Sequence, residues 1–200
     1  MSKPGRTDPI PAEMLAGHPD ARHALTRVWD PLVRVFHWGL VASFLTAWFT
    51  PFAAEVVHQV VGYLAAGLIL FRLVWGLVGS RYARFSHFLR SPVTVLRYLL
   101  AILRGTERRY LGHNPAGGAM VVALILGVAA TALTGWMMTT DAYYGVDWVQ
   151  EAHWLAVHGM LVLIALHLGG VALASLRHRE SLVGAMITGR KRVASGDDVG

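Results

Sequence analysis

The residues in this chain best able to do chemistry are imidazoles embedded in apolar sequence. Between Glu151 and Arg177 run 25 residues without Lys, Arg, Asp or Glu, and they include His153 and His167. That length lets a helix cross about 30 Å of hydrocarbon at roughly 1.5 Å per residue. At about 100° per residue, the step from His153 to His167 returns to within roughly 40° of the same face. The two rings share a stripe yet differ in depth by about 21 Å. That is too far for one metal ion and suits two sites, one near each membrane surface. His158 is turned by about 140° from His153 and about 180° from His167. It reads as facing another helix, lipid or a second pocket.

The elements that must position these rings are apolar blocks. The 200 residues have a mean hydropathy of +0.46, with 54% hydrophobic and 15% charged residues, whereas soluble chains carry about 25% charged residues. The excess apolar sequence falls in four blocks, which marks an integral membrane protein. A net charge of +6 could suggest nucleic acid, but the basic residues flank apolar spans instead of forming one patch, so no nucleic-acid partner is expected. There is no cysteine, which excludes disulfides, iron–sulfur clusters, thiolate zinc sites and covalently attached haem. Residues 1–24 contain no apolar core of a cleavable signal peptide.

In chain order, residues 1–27, with His18 and His23, read as a disordered tail. Spans are expected at about 35–54, 56–80, 117–139 and 152–176. Arg72, near the end of the second, reads either as a snorkelling anchor or as the ion-pair partner of a cofactor carboxylate. The connection from Arg81 to His113 carries seven arginines. Within it, Ser91 and Pro92 signal a helix start and Gly105 a stop. Val93, Leu96, Leu99, Leu100 and Leu103 follow helical spacing, opposite Arg90, Arg97 and Arg104. This helix is too short to span and is expected to lie on the membrane surface. In the third span, Gly127, Thr131, Thr134 and Gly135 offer small surfaces for close helix or cofactor approach. Residues 193–200 read as a disordered tail. The fold class is an all-α, integral membrane four-helix bundle with a cytoplasmic interfacial amphipathic helix.

With four spans, both termini and the second connection share one side. These regions, with Arg72, hold all 18 Lys and Arg, so the positive-inside rule places both termini in the cytoplasm. That topology sorts the histidines by depth. His37 and His167 fall toward the cytoplasmic side, His58 and His153 toward the outer side. One intramembrane histidine is more commonly a helix contact or a proton-relay member than a ligand. Four at matched depths on three helices shift that balance toward iron in an apolar porphyrin, held in a bundle core. Two separated pairs do not supply the three or four converging ligands that zinc requires. His87, His113 and His178 read as interfacial, within reach of a haem propionate or a quinone headgroup.

Four spans carrying Phe36-His37-Trp38, His58 before Gly62-Tyr63, and the His153/His167 pair resemble the bacterial cytochrome b561 family. That family includes the cytochrome b subunits of nickel–iron hydrogenases. Supporting stretches are Trp29-Asp30-Pro31, Arg72-Leu73-Val74-Trp75-Gly76, Gly79 to Phe85, Gly112-His113-Asn114-Pro115, His178-Arg179-Glu180 and Met186 to Arg192. The resemblance covers residues 28–192. It implies a domain with two non-covalent, bis-His b-type haems, ligated by His37 with His167 and by His58 with His153. It also implies electron transfer between a periplasmic-side redox partner, a cytochrome or a hydrogenase-like enzyme, and the quinone pool of the bacterial inner membrane. Trp154 departs from the family, where Glu commonly follows the ligand. Alternatives are a haem-containing anchor for a hydrogenase-like oxidoreductase, oxidation of a small reductant such as superoxide at the outer haem, and a proton or metal transporter.

Overall fold

The computed structural model describes residues 25–51, 54–194, 196, 198 and 199. Most of the expected N-terminal tail, with His18 and His23, lies outside the described residues. Nine elements follow in order: β1 (Leu25–Arg27), α1 (Pro31–Phe49), α2 (Glu55–Val78), α3 (Phe85–Phe88), α4 (Pro92–Arg104), α5 (Pro115–Met137), α6 (Asp147–His178), α7 (Leu182–Thr188) and β2 (Arg190–Arg192). Helices α1, α2, α5 and α6 are each long and apolar enough to cross a membrane. Large apolar side chains on them stay exposed, such as Leu77 at 72% and Leu126 at 64%. Water would oppose that surface, but hydrocarbon accepts it. The molecule is an all-α, multi-pass membrane bundle with one small strand pair.

Polar residues outside the apolar blocks set the helix ends. Asp30 caps α1 by accepting from the Val33 N–H at 2.9 Å, with Pro31 in the first turn. The helix therefore begins earlier than the expected 35–54 span, and it stops at Phe49, before Pro51. Asn114 caps α5 in the same way, accepting from the Gly117 N–H at 2.7 Å, followed by Pro115. A proline at this position lacks only an N–H that the helix would leave unpaired anyway. Helix α6 overruns the expected 152–176 span at both ends and closes at Arg179, in the left-handed region at φ 48°. Helix α4 occupies the expected residues. Ser91 Oγ accepts from the Thr94 N–H, and Gly105 ends the helix at φ 69°. Its Leu96 and Leu103 are exposed while Tyr98 is buried, so an apolar face remains free for the membrane surface.

The bundle packs as a series: α1 on α2, α2 on α5, and α5 on α6. Phe36, Ile69, Ile125, Val128 and Met160 form its buried centre. A second cluster of Val28, Trp29, Val33, Ala83 and Ala185 caps the end that carries both termini. Asp30 ties this cap to α2, accepting from Trp75 Nε1 at 3.2 Å and from the Ser80 hydroxyl. A Cβ on Gly76 would overlap the Phe85 ring, so glycine lets α3 lie against α2.

The C-terminal segment returns to the start of the chain. Strands β1 and β2 pair antiparallel, with Thr26 opposite Lys191 and Arg27 opposite Arg190. The Val28 and Trp29 N–H groups both donate to the Gly189 carbonyl, and the Arg34 side chain donates to the Met186 and Ile187 carbonyls. Gly189 sits at φ 79°, with its missing Cβ position 2.7 Å from the Trp29 carbonyl oxygen. Residues 25–27 were expected in the tail and instead form a strand. Three residues carry too little alternation to signal one, and the partner lies at the far end of the sequence. Within 193–200, expected to be disordered, Val199 exchanges backbone hydrogen bonds with Arg109 and Leu111, and Asp198 meets Arg109 at 2.5 Å.

Candidate haem sites

The four histidines of the apolar blocks meet in two pairs. His58 of α2 faces His153 of α6 with ring centres 6.4 Å apart and planes at 76°. His37 of α1 faces His167 of α6 at 6.5 Å and 51°. Neither α1 nor α2 packs extensively on α6, so each pair spans a gap between helices.

Backbone carbonyls orient the rings of the first pair. His58 Nδ1 lies 2.9 Å from the Ala47 carbonyl oxygen, and His153 Nδ1 lies 3.1 Å from that of Thr131. A carbonyl can only accept, so each Nδ1 carries its proton and each Nε2 keeps a lone pair. A ligating histidine is held in this way, with its second N–H donated to a carbonyl or carboxylate. Thr134 Oγ1 stands 3.0 Å from the same His153 nitrogen. A Cβ on Gly135 would come 3.1 Å from His153 Cε1. Three of the four small residues of the third span thus serve one imidazole, two positioning it and one leaving it room, while Gly127 lies against Met160. In the second pair, His37 Nδ1 is buried without a hydrogen-bond partner.

The ring spacing tests whether a haem iron fits. Two imidazoles bound on opposite sides of one metal, at about 2 Å per bond, place their ring centres about 6.3 Å apart. Both observed spacings agree with that figure. Among the described residues, no third His, Cys, Asp or Glu joins either pair. The residues present fit two bis-imidazole sites.

Arg72 does not snorkel into open solvent. It is 3% exposed, donates to the Ala83 carbonyl at 3.0 Å and lies over the Phe85 ring, 4.8 Å from its centre. Its Nη1 is buried without a partner. His113, outside the spans, shares the Phe88 ring with Arg72 and also packs against Trp29 at 4.7 Å. Its Nδ1 is likewise buried and unpartnered. Nothing in the local pattern around His113 indicated that position, because Trp29 and Phe88 reach it from distant parts of the chain.

Burial, reinforced by the charges of Arg72 and Lys191, pushes the His113 pKa down to about 3. The folded state therefore holds His113 neutral while the unfolded chain takes up a proton below about pH 6.5. The resulting stability is present above pH 6.5 and is lost as pH falls toward 3, by up to about 1.4 kcal/mol per unit. Thermal unfolding at pH 7 and pH 5 is expected to show a drop in wild type that His113→Asn reduces. Equal drops in both proteins would contradict this.

The remaining histidines lie elsewhere. His158 stacks on Trp154 at 4.0 Å and meets Trp48 edge-on at 6.2 Å, away from both pairs. His87 accepts from Arg81 and packs against Tyr82. Burial and the neighbouring Arg81 and Arg90 charges lower its pKa.

Comparison with known proteins agrees with this architecture. The chain is similar to the probable Ni/Fe-hydrogenase B-type cytochrome subunit of Rhodobacter capsulatus, at 24% identity over 85% of this chain and 82% of that one. The protein of the same description from Bradyrhizobium diazoefficiens is 25% identical over 68% of this chain and 65% of its own length. That from Rhizobium leguminosarum bv. viciae is 20% identical over 93% and 98%. No solved structure matches. The model of the family described as prokaryotic cytochrome b561 matches residues 28–189, which take in both histidine pairs, all four spanning helices and the short helix α7. This chain belongs to the prokaryotic cytochrome b561 family.

Proposed function

We propose that this protein carries two non-covalent b-type haems and moves electrons through the bacterial inner membrane, between a periplasmic redox partner and the quinone pool. The observation that carries the reading is the occurrence of two imidazole pairs at bis-imidazole spacing, near opposite ends of one bundle. His58 and His153 would hold the haem nearer the periplasm, and His37 and His167 the one nearer the cytoplasm. Bound haem supplies reversible one-electron chemistry, and two imidazoles per iron leave no open position for oxygen.

The protein's own residues supply orientation and charge. The Ala47 and Thr131 carbonyls fix the outer imidazoles. Phe36, Ile69 and Ile125 keep water from the bundle centre. The buried Arg72 offers a nitrogen to a haem carboxylate at the inner site. The arginine distribution supports an orientation with both termini cytoplasmic. Asp141, Asp147 and Glu151 would then face the periplasm, where they can steer a basic donor.

A second reading is favoured by the relatives, each described as a probable hydrogenase cytochrome subunit. In it the chain anchors a peripheral oxidoreductase and receives its electrons. Co-purification with an iron–sulfur enzyme would favour this reading, and quinol reactivity of the isolated chain the first. A reduced-minus-oxidised spectrum with haem quantification tests both, since two b-type haems per chain are expected in either. Arg72→Gln is expected to lower the midpoint potential of one haem by tens of millivolts, because the lost positive charge had favoured the reduced form. Redox titration resolves the two haems, and an unchanged pair of potentials would remove Arg72 from the site.

A further inference from the structure

A cavity of about 490 Å³ opens where the C-terminal segment meets β1, lined among others by Arg27, Arg179, Arg190, Arg192, Ser181 and Thr188. Arg27 and Arg190 stand directly opposite each other on the exposed face of the strand pair. Like charges in that position repel, and among the described residues neither guanidinium has an acidic partner. The Arg179 side chain has none either. Glu180 also lines the cavity, but its carboxylate is engaged by Arg109 and Lys191. The cavity therefore concentrates positive charge that the described residues leave uncompensated. Leu25, in the cavity lining, is 58% exposed, and on another face of α7 Val183 and Ile187 stand one helical turn apart, 52% and 54% exposed. Leu176, near the end of α6, is 78% exposed. Apolar side chains next to a cationic cavity, just beyond a spanning helix, match the boundary between acyl chains and headgroups.

We infer that this cavity binds the phosphate headgroup of an anionic phospholipid, in the leaflet on the side of both termini. The guanidiniums of Arg27, Arg179 and Arg190 take the phosphate charge, with the Ser181 hydroxyl as a further donor. Val183 and Ile187 lie against the acyl chains. The bound lipid would pin the returning C-terminal segment to the start of the chain and to the membrane. This site is separate from the haem pairs, so haem content reports on the rest of the molecule independently.

The test uses the full-length, haem-loaded protein in mild detergent, titrated with phosphatidylglycerol, phosphatidylcholine or inorganic phosphate. Thermal unfolding and native mass spectrometry provide the readouts. Phosphatidylglycerol is expected to raise the unfolding midpoint by several degrees and to remain bound, while the other two do neither. The triple variant Arg27→Gln, Arg179→Gln, Arg190→Gln is expected to lose that shift with its haem spectrum unchanged. A control, Arg90→Gln, Arg97→Gln, Arg104→Gln, removes equal charge from the α4 region and is expected to keep the shift. An equal shift with phosphatidylcholine, reproduction of the shift by inorganic phosphate alone, or its equal loss in the control would each overturn the proposal.

Discussion

Purified His153→Ala protein is expected to retain one haem where the wild type retains two. His153 is one half of a pair whose ring centres lie 6.4 Å apart, and the other half, His58, would be left to hold an iron alone. The second pair lies about 21 Å away along α6, by helical rise. At that separation, without shared partners, losses at the two sites should be independent. His167→Ala is therefore expected to remove the other haem, and the double variant both. The two single variants should lose spectrally different components, because the environments differ. One pair is braced by carbonyls and a threonine hydroxyl, whereas the other has a buried, unpartnered Nδ1 at His37. His158→Ala provides the internal control. It lies on the same helix, but its ring stacks on Trp154 and faces Trp48, so both haems should remain. Pyridine haemochrome quantification decides the matter. Two haems per chain in His153→Ala would overturn the ligand assignment.

The second large effect is on stability. Glu180→Gln is expected to destabilise the protein by about 3–5 kcal/mol, the usual consequence of stranding buried charge. Glu180 meets Arg109 at 2.8 Å and Lys191 at 3.5 Å, with all three side chains no more than 7% exposed. Lys191 also donates to the Tyr110 and Leu111 carbonyls, both at 3.0 Å. The cluster thus joins β2 and the end of α6 to the approach to α5. Neutralising Glu180 leaves Asp198 as the carboxylate on Arg109 and, among the described residues, none within ion-pair distance of Lys191. Burial raises the Glu180 pKa, but hydrogen bonds from Arg109 and the Lys191 charge outweigh it and hold the carboxyl below its ordinary value. With the folded pKa depressed, this stabilisation is present above about pH 4.5 and is lost as pH falls through the folded value. Thermal unfolding at pH 7 should show the loss, and adding Lys191→Met should recover part of it. A change within about 0.5 kcal/mol would mean that the cluster behaves as a solvated surface.

The spanning helices and α4 were legible because their signals are local. Apolar runs, the Ser91-Pro92 start and the Gly105 stop each act within a few residues. The expected depth of each intramembrane histidine rests on helical rise and on the arginine distribution. The resemblance noted for Trp29-Asp30-Pro31 and for Met186 to Arg192 carried no role until these segments were seen together. Asp30 caps α1 and also binds Trp75 and Ser80, while the Gly189 carbonyl receives the Val28 and Trp29 N–H groups. Asn114 likewise proved to be a helix cap.

The sequence by itself determined the class of the molecule and its four crossings, since these depend on hydropathy, charge and a rise of about 1.5 Å per residue. Only the tertiary structure decided the spacing and angle of the paired rings, which carbonyls set their tautomers, and where the ends of the chain are tied. Those outcomes depend on helix rotation and on contacts between distant residues. Period and composition constrain neither. Arg72 shows the difference most plainly. Its position near a helix end allowed an anchor in the lipid headgroups, and only the packing of Phe85 and Phe88 over it made it a buried cation beside His113.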